Sequence, residues 1–157
     1  MFRFLVLFCA LIALAKGDTS VYRQCFHTAG QLPLSADING CQHAPCQAPQ
    51  LSEFTMAINF TTPYTVYSMR TRATVIFGNL VAGPYPLRPN SLACNFLTGI
   101  QCPTQPGQNL EYVLRTFVPA LMPSGATFDV EFSIVDEQKK SLMCLRVPIW
   151  IAEPEFK

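Results

Sequence analysis

The sequence predicts an all-β fold, an immunoglobulin-like β-sandwich of about seven strands. Two observations carry this expectation. Apolar and polar residues alternate with period 2 in several separate segments, the spacing of a strand with one face on a core. Thirteen prolines and several isolated glycines in 157 residues also interrupt the chain about every 10 to 15 residues, too often for many helices.

The elements follow in chain order. The chain opens Met1-Phe2-Arg3, runs without charge from Phe4 to Ala15, and continues Lys16, Gly17, Asp18. A basic start, about a dozen apolar residues, and small residues at Ala15 and Gly17 mark residues 1–17 as a signal peptide cleaved before Asp18. The run falls short of the ~20 residues a bilayer span requires. Residues 18–157 are therefore expected as one soluble, secreted domain, in the extracellular fluid or in the lysosomal lumen.

Leu32, Leu34, Ala36 and Ile38 make a weak stripe that ends at the turn signal Asn39-Gly40. Phe54, Met56, Ile58 and Phe60 then alternate with Thr55, Ala57, Asn59 and Thr61. Thr65 to Phe77 follows, with Arg70 and Arg72 on a solvent face, and then Asn109 to Val118, with Tyr112, Leu114, Thr116 and Val118 on one side. Phe128, Val130, Phe132 and Ile134 alternate with Thr127, Asp129, Glu131 and Ser133. Asp136-Glu137 with Lys139-Lys140 reads as a charged hairpin turn. Leu145, Val147, Ile149 and Ile151 close the series against Arg146, Pro148 and Trp150. The Cys, Trp and Cys signature of an antibody domain is missing, because Trp150, the only tryptophan, follows the last cysteine.

Removing residues 1–17 takes away Cys9, Arg3 and Lys16, so seven cysteines become six and 11 basic against 10 acidic residues become 9 against 10. An even number in the secretory pathway argues for three disulfides. Six cysteines admit fifteen pairings, and the spacing favours one. Cys41 with Cys46 and Cys94 with Cys102 close local loops, which leaves Cys25 to tie the chain start to Cys144. Near-zero net charge argues against nucleic acid as a partner, since that needs clustered Lys and Arg. Asn59-Phe60-Thr61 is an N-glycosylation sequon, with Asn59 on the outer face of its strand.

Catalytic and metal-binding patterns are thin. His27 and His43, the two histidines, stand near cysteines and read as surface residues. The chain has no Gly-x-Ser-x-Gly, His-Glu-x-x-His or glycine-rich phosphate loop. Cys41, His43 and Cys46 have the look of metal ligands, but an oxidising compartment favours disulfides. The expectation is a protein that is not an enzyme and needs no cofactor or metal.

Four pieces of sequence carry a resemblance. They are Gly40-Cys41 with Pro45-Cys46; Gly83-Pro84-Tyr85-Pro86-Leu87; Thr98-Gly99-Ile100-Gln101-Cys102-Pro103; and Ser141-Leu142-Met143-Cys144 with Val147-Pro148. With the order and spacing of the six cysteines they make the chain resemble the ML lipid-recognition domain family, and within it the Niemann-Pick type C2-like branch. Pro84 to Leu87 and Cys94 to Gly99 are more similar to arthropod members than to the vertebrate cholesterol carrier.

The resemblance implies a sandwich splayed so that a dry tunnel lies between its sheets, and a secreted carrier of a sterol, fatty acid or semiochemical. The inward residues are then candidate lining: Phe54, Met56, Ile58 and Phe60; Val75, Tyr112 and Val118; Phe128, Val130 and Phe132; Leu145 and Val147. Alternation alone does not separate a tunnel wall from a packed core. The family's opening corresponds to Leu87, Val118 and Met122, where aromatic residues of the vertebrate protein are replaced by Leu87 and Met122. Exposed apolar side chains between Pro84 and Pro89 would suit transient docking on a membrane or receptor. The family also implies a second role, an innate-immune module that binds bacterial surface lipids such as lipopolysaccharide. A monomer with an apolar lipid as its partner is expected in either case.

Overall fold

The alternating segments are strands in the computed structural model, which describes residues 20–155; the expected signal peptide lies outside them. Eight strands form among the described residues: β1 Ser35–Ile38, β2 Cys46–Pro49, β3 Glu53–Thr61, β4 Met69–Phe77, β5 Leu80–Tyr85, β6 Asn109–Phe117, β7 Thr127–Asp136 and β8 Ser141–Ala152. They build two sheets, ordered β1-β3-β6 and β2-β8-β7-β4-β5. The pairings are antiparallel except that of β2 with β8. Two short 3-10 turns, Arg88–Ser91 and Ala93–Phe96, lie between β5 and β6.

The period of two decides which residues face inward. Phe54, Met56, Ile58 and Phe60 of β3 lie beside Leu110, Tyr112 and Leu114 of β6, all buried. Opposite them stand Phe128, Val130, Phe132 and Ile134 of β7, paired with Ile149, Val147, Leu145 and Met143 of β8. Each such side chain taken from water contributes roughly 1.5–3 kcal/mol. Arg70 and Arg72 of β4 point to solvent, as their alternation predicts.

Three features differ from the sequence reading. β2 and β5 are additional strands, and both carry prolines that mask a strand pattern. The stripe from Leu32 to Ile38 does not enter the core as a unit, because Leu32 and Leu34 are 43% and 66% exposed and only Ile38 is fully buried. The outer face of β7 and β8 is also not all solvent. Glu131, Ser133 and Arg146 are buried there, although their alternation reads as a polar exterior.

The N-terminal segment explains that burial. Arg23 exchanges two backbone hydrogen bonds with Arg146, at 2.9 and 2.8 Å, and the Gln31 carbonyl accepts from Cys144 N at 2.8 Å. Between these points Phe26 N and His27 N donate to one Glu131 carboxylate oxygen, at 2.7 and 3.0 Å. Burial raises the Glu131 pKa, but hydrogen bonds from His27, Phe26 and Thr28 outweigh it and hold the carboxyl below the usual range. Arg146 Nε donates to Asp129 at 2.7 Å, and Arg23 joins the same carboxylate at 2.8 Å. The strap crosses so close that a Cβ on Gly30 would stand 2.7 Å from Ser141 Oγ and 2.8 Å from the Met143 backbone, and its φ of +143° also favours glycine.

Disulfides join Cys25 to Cys144, Cys41 to Cys46 and Cys94 to Cys102, with Cα separations of 5.9, 5.4 and 5.7 Å. The first fastens the strap to β8. The third closes the loop that carries one 3-10 turn, and Thr98 N of that loop donates to the Glu111 carbonyl on β6 at 2.9 Å. Cys41 and Cys46 are bonded to each other, so neither offers a thiolate beside His43.

Candidate functional site

The open space between the sheets lies at one end. There the chain leaves β6 at Phe117, β5 closes at Tyr85, and β7 starts near Phe128. An apolar pocket of about 50 Å³ sits between these ends, lined by thirteen residues, none of which carries a carboxylate, amine, imidazole or thiol. At ~10–15 Å³ for each water-sized probe position, it has room for only a few small molecules. Phe54 of β3, Val75 of β4, and Phe128, Val130 and Phe132 of β7 supply its walls, with Val118 and Met122 from the connection after β6. These seven are expected lining residues.

The other expected residues stand elsewhere. Met56, Ile58, Phe60, Tyr112, Leu145 and Val147 are buried in the packed part of the sandwich, outside the pocket wall. Leu87 is buried too and lines a surface groove instead. The wall contains six residues that the lining expectation left out: Ala48, Tyr85, Thr116, Phe117, Ile149 and Ile151. Ile149, Ile151 and Thr116 lie on stripes visible in the sequence. Ala48 sits on a four-residue strand that ends in proline, and Tyr85 sits between two prolines, so neither has a periodic signal.

Tyr85 bears on the expected opening at Leu87, Val118 and Met122, because it sets an aromatic ring on the same pocket wall as Val118 and Met122. The Tyr85 hydroxyl donates to the Phe117 carbonyl at 2.9 Å. That bond joins the end of β5, in one sheet, to the end of β6, in the other.

Outside this contact lies a groove lined by Tyr85 to Asn90, Thr116, Phe117, Pro119, Leu121 and Met122. Groove and pocket share Tyr85, Thr116, Phe117 and Met122, which together form the partition between them. The rim is apolar: Phe117 is 55% exposed and Leu121 87%. Gln50 holds the rim by donating its amide to the carbonyls of Ala120 and Met122. Asn90 Nδ2 does the same for the 3-10 turn, donating to the Arg115 carbonyl at 2.7 Å.

Deeper in the sandwich the sheets are pinned. Thr71 Oγ1 of β4 donates to the Tyr112 hydroxyl of β6 at 2.6 Å, and both residues are buried. Burial pushes the Tyr112 pKa up to about 12, and the hydrogen bond from Thr71 acts the other way. His27 and His43 are exposed and stand away from the pocket wall. Asn59 is half-buried on the outer side of β3, where its Nδ2 donates to Ser35 Oγ at 3.1 Å.

Comparison with known proteins agrees with this architecture. A family model described as ML domain matches residues 19–151. The chain is similar to NPC intracellular cholesterol transporter 2 of Danio rerio, 25% identical over 146 residues, which is 93% of this chain and 94% of that protein. The Sus scrofa protein of the same name is 28% identical over 142 residues, covering 90% and 91%. Among solved structures, a Niemann-Pick type C2 protein from Japanese carpenter ant superposes with a TM-score of 0.72 at 20% identity, over 84% of this chain and 99% of that one. Chicken MD-1 complexed with lipid IVa shares the fold at a TM-score of 0.50 and 12% identity, over 80% and 83%.

Proposed function

We propose that this chain, which belongs to the ML domain family, binds an apolar lipid between its sheets at the Tyr85 end and carries it between membranes or partner proteins. The observation that carries this reading is an apolar pocket without a charged side chain, which shares four wall residues with an outer groove whose rim is exposed and apolar. A wall without acid, base or thiol suits binding and offers no chemistry on the ligand, so we read the protein as a carrier and not an enzyme. The two relatives are named as cholesterol transporters; this supports a sterol as our first candidate ligand, ahead of fatty acids and semiochemicals.

The pocket must enlarge to do this. A site for a drug-sized ligand holds roughly 300–1,000 Å³, several times the space present. Met122, flexible at three torsions, and the Tyr85 ring are the wall elements best placed to move, since both also face the groove. A ligand of about 30 heavy atoms at roughly 0.3 kcal/mol each would then bind with about 9 kcal/mol, in the submicromolar range. Leu121 and Phe117 would seat on a membrane or receptor surface during transfer, so that the ligand passes without crossing water.

Three disulfides suit an oxidising compartment, and we place the protein in the extracellular fluid or the lysosomal lumen. A glycan on Asn59 would leave from the outer face of the three-stranded sheet and keep the groove clear. The test is native mass spectrometry of the secreted protein, followed by extraction and identification of what came with it. A stoichiometric sterol or fatty acyl ligand supports the carrier. An empty protein that captures lipopolysaccharide would instead favour immune recognition. If nothing copurifies and no fluorescent sterol or fatty acid is taken up, the pocket is a packing defect and the carrier reading falls.

A further inference from the structure

We propose that the Tyr85 hydroxyl and the Phe117 carbonyl read the polar end of the ligand and select an amphiphile that ends in an alcohol. The proposal rests on the carrier reading above. A ligand that enters from the groove passes through the partition of Tyr85, Thr116, Phe117 and Met122. To do so it must separate Tyr85 from Phe117, whose 2.9 Å hydrogen bond joins the two sheets at that point.

This contact is exposed to water, and a ligand that parts it also covers it, so the phenol and the carbonyl must find their partners on the ligand. A ligand hydroxyl repairs both, because it accepts from Tyr85 and donates to Phe117 at once. An ether accepts from Tyr85 and has nothing to give the carbonyl. A carboxylate has the same deficit and adds repulsion between its oxygens and the carbonyl oxygen. A hydrocarbon satisfies neither group. The rest of the inner wall is apolar apart from Thr116, so the distinction is made at the partition. Arg88 is the charged residue among those that line the groove, which makes a carboxylate the competing chemistry. The guanidinium of Arg115 is already held 3.2 Å from Glu53.

The magnitudes follow from one hydrogen bond being worth about fivefold in affinity. In the native protein an alcohol gains two bonds where a hydrocarbon gains none, so their affinities should differ by about thirtyfold, with the ether between them. Tyr85→Phe keeps the ring but removes one of the ligand's bonds and the bond that entry must break. The alcohol's affinity should then hardly move, whereas the hydrocarbon should bind about fivefold tighter. Loss of packing would instead weaken every ligand alike.

The experiment is displacement of the fluorescent sterol dehydroergosterol from the full mature chain and from Tyr85→Phe. The competitors are a long-chain alcohol, its methyl ether, the acid of the same chain and the parent hydrocarbon. The expected result is the order alcohol, ether, hydrocarbon in the native protein, with a narrower spread in the variant because the hydrocarbon improves. Equal binding of alcohol and hydrocarbon, or uniform weakening in Tyr85→Phe, overturns the proposal and leaves the carrier intact. An acid that outcompetes the alcohol, with a preference lost in Arg88→Gln, also overturns it and makes Arg88 the selector. If dehydroergosterol and all four competitors fail to bind the native protein, the carrier reading falls and the proposal falls with it.

Discussion

The two ends of the sandwich are built from the same strands and differ in what lies between them. At one end Thr71 and Tyr112 bridge the sheets through a buried hydrogen bond, and Thr62 and Thr104 meet at 3.4 Å nearby. The Tyr64 hydroxyl donates to Asp136 at 2.7 Å, at the base of the β7–β8 hairpin. Phe60, Met69 and Leu110, on the strands that carry this end, have almost no exposure. At the other end the hydrogen bond of Tyr85 to Phe117 joins the sheets at the rim, with an apolar pocket behind it. The buried bridge of Thr71 and Tyr112 holds the sheets close there, and apolar side chains fill the space between them. Ligand space is therefore expected to open from the Tyr85 end and to stop before Thr71 and Tyr112.

The largest effect should separate the two ends by packing. Met56 is fully buried beside Leu114, and Met56→Ala should lower unfolding free energy by roughly 2–5 kcal/mol with little change in ligand exchange rate. Met122→Ala, at the half-buried partition, should cost less than about 1 kcal/mol and speed ligand uptake and release. Chemical denaturation and stopped-flow fluorescence measure the pair. Similar stability losses with unchanged exchange would erase the distinction between the ends.

A smaller effect tests the bridge. Thr71→Val strands the Tyr112 hydroxyl in the core and should cost about 1–3 kcal/mol. Adding Tyr112→Phe should recover most of it, because both polar groups are then gone. A double variant as unstable as the single one would show that the bridge does not act through its hydrogen bond.

The smallest effect concerns the strap. Glu131 has a pKa below its ordinary 4.5 in the folded protein. A depressed carboxylate contributes stability that is present above the unfolded value and lost as pH falls through the folded one. Stability should therefore decline on acidification below about pH 4.5, and Glu131→Gln should flatten that part of the profile. An unchanged acid limb in the variant would show that the strap is not held through this carboxylate.

Much of this architecture was legible in the residues. The stripes of β3, β6, β7 and β8 were read from alternation alone, because each has one face on the core over its full length. The fold class followed from them, whereas the ML resemblance rested on four short motifs with the order and spacing of the six cysteines. β2 and β5 were not legible, since Cys46–Pro49 and Leu80–Tyr85 are short and proline-bearing. The burial of Glu131 and Arg146 was hidden for a different reason. It depends on a strap more than 100 residues away in sequence, which no local period records. The pocket was half legible: alternation placed Phe54, Val75 and Phe128 inward but did not say where filling stops. Tyr85, which lines both the pocket and the groove, lay inside a proline run that carries no period.

A crystal structure of the protein loaded with a sterol would decide between a site inside the sandwich and one on its surface. Density is expected between the sheets in contact with Phe54, Phe128 and Val130, with Tyr85 moved off Phe117 and the Thr71–Tyr112 bridge intact. A sterol bound elsewhere, or one seated only in the outer groove with the partition closed, would contradict this placement.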